Sequence, residues 1–146
     1  MLSQAAQMVY QAHHVGLVAI LWIYPRGKHI HTHNTDELII GSAGIANALG
    51  ADFVKIQVPH NIKSQTLQAA VIAAGNTGVL CAGGEPQETR TFLEGIEQHV
   101  YTGNCAGVAV GRNIFQHPLD EAARITHAIA EIVYNNKTFA AASALL

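Results

Sequence analysis

Phe53-Val54-Lys55-Ile56-Gln57-Val58 has the length and β-branched content of a buried strand, with a lysine in its middle. Burying an ammonium is costly unless it is paired or gives up its proton. A strand interior is therefore a poor place for an idle lysine, and Lys55 is expected to be the chemical centre of the chain. The bland alternative is an edge-strand lysine that snorkels to water. The other lysines have simpler settings: Lys28 lies in a polar loop, Lys63 begins a helix and Lys137 is in the tail. Only Lys55 has apolar residues on both sides. Side chains alternate along a strand, so Phe53, Lys55 and Gln57 share one face, and Val54, Ile56 and Val58 the other.

Outward from this strand, punctuation by glycine and proline divides the chain into repeated units. Before it, residues 2–14 have helical spacing of Leu2, Ala5, Val9 and Ala12. Leu17–Tyr24 is an apolar strand closed by Pro25 and Gly27. Asn34 or Thr35 is a helix cap, with Asp36 and Glu37 in the first turn, and the helix runs to Leu49 and Gly50. After it come a helix over 64–74, a strand over 78–81 and a helix over 87–101. A strand over 106–110, a helix over 119–134 and an apolar, helical tail complete the chain. Strand and helix alternate without exception, as in a parallel sheet built from right-handed crossovers.

Composition agrees. Of 146 residues, 49% are hydrophobic and 12% charged, the balance of an α/β domain with buried strands. The net charge of −2, without any basic block, argues against nucleic acid or an anionic membrane as partner. No apolar run is long enough to span a bilayer, and the N-terminus lacks a signal-peptide pattern. Cys81 and Cys105 have no CxxC spacing, so a reduced, cytoplasmic chain is expected, with a single disulfide as the alternative. The whole chain, residues 1–146, reads as one domain.

Four β/α units fit either a small doubly wound sheet or half of an eight-stranded (β/α)8 (TIM) barrel. The special residues favour the barrel, because they gather at strand C-terminal ends, where barrels carry their chemistry. They are Tyr24-Pro25-Arg26-Gly27, Lys55, Gly83-Gly84 and Gly111-Arg112. A desolvated lysine in its neutral form is a nucleophile toward a carbonyl carbon. Tyr24 can exchange a proton with a reacting oxygen, and Trp22 lies on the same strand face, either as a pocket wall or as core. Glycine turns after two consecutive strands suit a phosphate, with Arg112 as a charge-assisted fork. His29-Ile30-His31-Thr32-His33 reads as a solvated loop rather than a metal set. Asp120, Glu121 and Arg124 read as a solvated helix face, and Asp52 as a turn residue.

Tyr24-Pro25-Arg26-Gly27, Gly50-Ala51-Asp52-Phe53-Val54-Lys55, Ala82-Gly83-Gly84 and Gly107-Val108-Ala109-Val110-Gly111-Arg112-Asn113-Ile114-Phe115-Gln116 together resemble the archaeal-type class I fructose-bisphosphate aldolases of the DeoC/LacD-like family. The resemblance runs from the first helix to about Tyr134. It implies that Lys55 forms a Schiff base on the sixth barrel strand and that Tyr24, ending the fifth, is the acid/base. It implies that Trp22 is a pocket aromatic, and that Ala82, Gly83, Gly84, Gly111 and Arg112 bind a substrate phosphate. The implied reaction is reversible cleavage of fructose 1,6-bisphosphate to dihydroxyacetone phosphate and glyceraldehyde 3-phosphate, with no metal or other cofactor. Related transaldol enzymes of aromatic amino-acid precursor synthesis, such as 2-amino-3,7-dideoxy-D-threo-hept-6-ulosonate synthase, share these motifs. A noncatalytic sugar-phosphate-binding remnant is a further alternative.

Two departures matter. Ala82 stands where relatives often carry serine. The likeness also begins at the helix before the fifth strand, so strands one to four, with the acidic residue of the first, have no counterpart. A truncated or split barrel is expected, with two open sheet edges. Its partner would be a complementary barrel half or a second copy of the chain.

Overall fold

A computed structural model describes residues 1–31, 35–59 and 62–146 of the chain. Helix α1 (Leu2–His14) leads into strand β1 (Ile20–Ile23), α2 (Asp36–Ala48), β2 (Phe53–Ile56), α3 (Ser64–Ala74) and β3 (Gly78–Ala82). Helix α4 (Thr89–Glu97) continues into a π-helical turn (Gln98–Thr102) before β4 (Gly107–Ala109). The short α5 (Arg112–Phe115), α6 (Leu119–Asn135), α7 (Phe139–Ala142) and a 3-10 turn (Ser143–Leu145) complete the order. The strands form one parallel sheet in the order β1-β2-β3-β4. Trp22, Lys55, Leu80 and Gly107 lie side by side across it.

Local chemistry explains the element ends. Thr35 caps α2 by accepting the Leu38 N–H; the alternative cap, Asn34, lies outside the described residues, as do Thr32 and His33 of the histidine stretch. The Glu88 carboxylate caps α4 by accepting the Thr91 N–H at 2.8 Å, and this bond with that from Arg90 lowers its pKa. The strand expected over 17–24 is shorter. Among the described residues its ladder has a partner on one side only, and it begins where the Ala19 carbonyl accepts the Asp52 and Phe53 N–H groups. Likewise β2 stops at Ile56, the last residue paired with β1 and β3, so Gln57 and Val58 lie beyond it. The helix expected from Gln87 starts at Thr89, because the Gln87 N–H donates to the Asn113 side chain. The glycine turn expected at Gly111-Arg112 opens directly into α5.

One face of the sheet is covered. Val54 and Ile56 point into a cluster with Ile39, Ala43, Ala46, Leu67, Ala70 and Val79. Alanines let α2 and α3 approach closely. A second cluster joins Phe92, Leu93 and Ile96 of α4 to Ile125, Ile129 and Ile132 of α6 and to Phe139. Burying each of these large side chains contributes about 1.5–3 kcal/mol. Cys81 and Cys105 are free, buried thiols whose sulfurs lie 3.3 Å apart. Their mutual contact and burial push the Cys81 pKa up.

The opposite face carries Phe53 and Lys55, which are only partly covered. There Phe53 lies over Gly78: a Cβ added to Gly78 would stand 2.5 Å from the Phe53 ring, so only glycine fits. Asp52 ties the entry of β2 to α1. Its carboxylate accepts the Ala19 N–H at 2.7 Å and contacts His13 Nε2 at 2.8 Å, and both lower its pKa. Among the described residues no helix is long and apolar enough to cross a membrane.

Candidate active site

Alternation along β2 decides where Lys55 goes. Val54 and Ile56 are taken by the helix layer, so Lys55 must emerge on the other face. Its Nζ stands 3.9 Å from the centroid of the Trp22 ring, across the β1–β2 register. That cation–π contact is worth roughly 0.5–1 kcal/mol at such an exposed ring and fixes the direction of the amine. Trp22 itself is 68% exposed. On the open face of the sheet it is a platform for Lys55. The burial expected for Lys55 is partial, because four strands wall only one side of it.

A cavity of about 370 Å³ opens at the C-terminal ends of the strands. Tyr24, Arg26, Lys55, Gln57, Ala82, Gly83, Gly84, Gly111 and Arg112 line it, together with Glu85, Ala109 and Phe115. Every sequence candidate except Trp22 therefore meets at one cavity, and Trp22 touches it through Lys55. Burial raises the pKa of Tyr24, which keeps the phenol protonated as a hydrogen-bond donor. Arg26 stood in the strand-end motif without a role of its own, and Gln57 shares the face of Lys55 two residues on; both line the cavity, and the Arg26 guanidinium approaches Gln57 Oε1 at 3.4 Å.

The two glycine turns form one unit. The Gly83 N–H donates to the Ala109 carbonyl at 3.1 Å. Asn113, 3% exposed, spans the gap. Its amide donates to the carbonyls of Gly83 (2.9 Å) and Glu85 (3.1 Å), and its Oδ1 accepts the Gln87 N–H (2.8 Å). Gly84 adopts φ +69° within this turn, a left-handed conformation that glycine takes without strain. Arg112 leans over the same turn, donating to the Gly84 carbonyl and to the Glu85 carboxylate. The clamping role of Asn113, which the sequence showed only as part of a motif, and the role of Glu85 could not be read locally, because their partners lie 26 to 30 residues away. His29 and His31 line no part of the cavity, and no metal-holding group of His, Cys, Asp or Glu occurs among the described residues.

Residues 1–117 match the family model of the DeoC/LacD family aldolases. The chain belongs to that family. Over 139 residues it is 44% identical to the fructose-bisphosphate aldolase/6-deoxy-5-ketofructose 1-phosphate synthase of Methanocaldococcus jannaschii, covering 94% of this chain and 45% of that protein. The solved fructose-bisphosphate aldolase of Slackia heliotrinireducens superposes with a TM-score of 0.94 at 43% identity, covering 99% of this chain and 47% of that one. An archaeal fructose-1,6-bisphosphate aldolase solved with its catalytic Lys covalently bound to the carbinolamine intermediate superposes with a TM-score of 0.82 at 31% identity, covering 92% of this chain and 52% of the other. The chain thus spans about half the length of these relatives, and its sheet is half of their barrel fold.

Proposed function

We propose that the chain is the lysine- and phosphate-bearing half of a Schiff-base aldolase that reversibly cleaves fructose 1,6-bisphosphate to dihydroxyacetone phosphate and glyceraldehyde 3-phosphate. The convergence of Lys55 and Tyr24 with the two glycine turns on one cavity carries this reading. The Lys55 amine adds to the ketose carbonyl carbon to give a carbinolamine. The protonated Tyr24 phenol donates its proton as hydroxide leaves as water, and an iminium remains. The iminium accepts the electron pair of the breaking C3–C4 bond, and the Tyr24 phenolate takes the proton of the C4 hydroxyl. Lys55 thereby supplies the electron sink, so the reaction calls for no metal or other cofactor.

Gly83, Gly84, Gly111 and Arg112 hold one phosphate, with Ala82 offering backbone only. Such positioning spends binding energy on orienting the carbonyl toward Lys55. Arg26 stands by Gln57 beyond Lys55 and suits a second phosphate. The name of the Methanocaldococcus relative supports a second reading, in which the same imine serves synthesis of a ketose phosphate.

A complementary half-barrel or a second copy of the chain covers the open face in the cytoplasm. Support comes from β1 and β4, each paired on one side only, and from exposed Leu17, Val18, Ile20 and Trp22. An apolar cavity of about 470 Å³ between Ile20, Phe53, Leu80, Ile129 and Val133 adds to it. A folded monomer on size-exclusion chromatography would count against such a cover.

Borohydride trapping with dihydroxyacetone phosphate tests the chemistry. The expected product is a covalent adduct on Lys55 that is absent from Lys55→Met. An adduct-free native chain would leave a noncatalytic sugar-phosphate-binding half.

A further inference from the structure

Arg112 already grips an anion. One guanidinium nitrogen donates to the Glu85 carboxylate, and a second donates to the Gly84 carbonyl at 3.0 Å. Glu85 follows the Gly83-Gly84 turn directly, and its side chain is 74% exposed at the cavity that Arg112 shares. Carboxylate and phosphate offer a guanidinium similar pairs of oxygen acceptors, so the two anions call on the same N–H groups. The backbone beneath this pair is pinned by buried Asn113, which holds the Gly83 and Glu85 carbonyls. Exchange of one anion for the other therefore needs only rotation of an exposed Glu85 side chain.

We propose that Glu85 is an internal anion that competes with phosphate for Arg112 and sets how tightly the two glycine turns hold it. Phosphate at these turns, as read above, is the premise of this competition. When the site is empty, Glu85 keeps the Arg112 fork paired and aimed across the turn. When phosphate enters, Arg112 changes partner, and the displaced carboxylate remains nearby as a like charge. Both effects weaken binding, so a phosphorylated product is released more readily than from a turn with an unopposed arginine. Glu85 acts through Arg112 and is a positioning residue.

The test is titration of the full chain with inorganic phosphate, followed by calorimetry or phosphorus NMR. The native chain is compared with Glu85→Gln, Glu85→Asp, Arg112→Met and the Glu85→Gln/Arg112→Met double variant. Glu85→Gln is expected to bind phosphate roughly two- to five-fold more tightly, the scale of an exposed ion pair. Glu85→Asp is expected to keep most of the native weakness, because it keeps the charge. The gain from Glu85→Gln should vanish on the Arg112→Met background, which isolates the pair from bulk electrostatics. Unchanged or weaker binding by Glu85→Gln, or a gain that survives loss of Arg112, overturns the competition and leaves the phosphate site standing. Absence of binding by both the native chain and Glu85→Gln removes the phosphate reading, and the competition with it.

Discussion

Val54, Ile56, Val79 and Cys81 are at most 1% exposed on the helix side of the sheet, whereas Ile20 is 49% and Trp22 68% exposed on the other. The same strands supply both faces. The covered face carries the apolar burial that stabilises the fold. The open face carries the amine, the indole and the cavity. Adjacent residues of β2 thus answer to different demands, and exchanging the roles of Lys55 and Ile56 would ruin both.

Substitutions at adjacent positions can break this comparison. Ile56→Ala is expected to destabilise the chain by about 3 kcal/mol, the cost of a cavity in a packed core. Lys55→Met should change stability by no more than about 1 kcal/mol, the worth of its cation–π contact, while abolishing the trapped adduct. Equal effects of the two in urea denaturation would mean that the faces are not distinct.

Asn113→Ala comes next. It leaves the Gln87 N–H and two carbonyls without their partner, and is expected to cost about 2 kcal/mol. Denaturation of the variant at neutral pH measures it. Little or no loss would mean that the two turns hold each other without Asn113.

Asp52→Asn is expected to have the smallest effect, and it is pH-dependent. The Ala19 N–H and His13 lower the Asp52 pKa in the folded chain. The stability from this group is therefore present above the unfolded carboxylate pKa of about 3.9. It is lost as pH falls through the lower folded value. Asp52→Asn should be less stable than the native chain at pH 7, and the gap should close on acidification below about pH 4. A gap that stays constant with pH would show that the tie between α1 and β2 does not depend on the charge.

Much of the fold was legible. Helix α1 runs over Leu2–His14 and α3 over Ser64–Ala74, as their periodicity and flanking glycines indicated. Strand ends were less legible, because a strand ends where its neighbour stops pairing, which local sequence does not record. That is why β1 starts at Ile20 rather than Leu17, and why Val58 lies outside β2. In the candidate site, Lys55 could be read as a charge inside an apolar strand, and Tyr24 and the glycine turns as residues that follow strands whose period is visible. Trp22 was placed on the right face, but its role as a platform under Nζ follows from the β1–β2 register.

The sequence by itself determined which residues alternate onto which face of each strand, and so that Lys55 opposes the helix layer. Backbone geometry imposes that period on any strand, whatever surrounds it. Only the tertiary structure decided that Asn113 clamps the turn at 83–87 and that Glu85 occupies Arg112. Those contacts join residues more than 25 positions apart, and they form only once parallel pairing has brought the ends of β3 and β4 together.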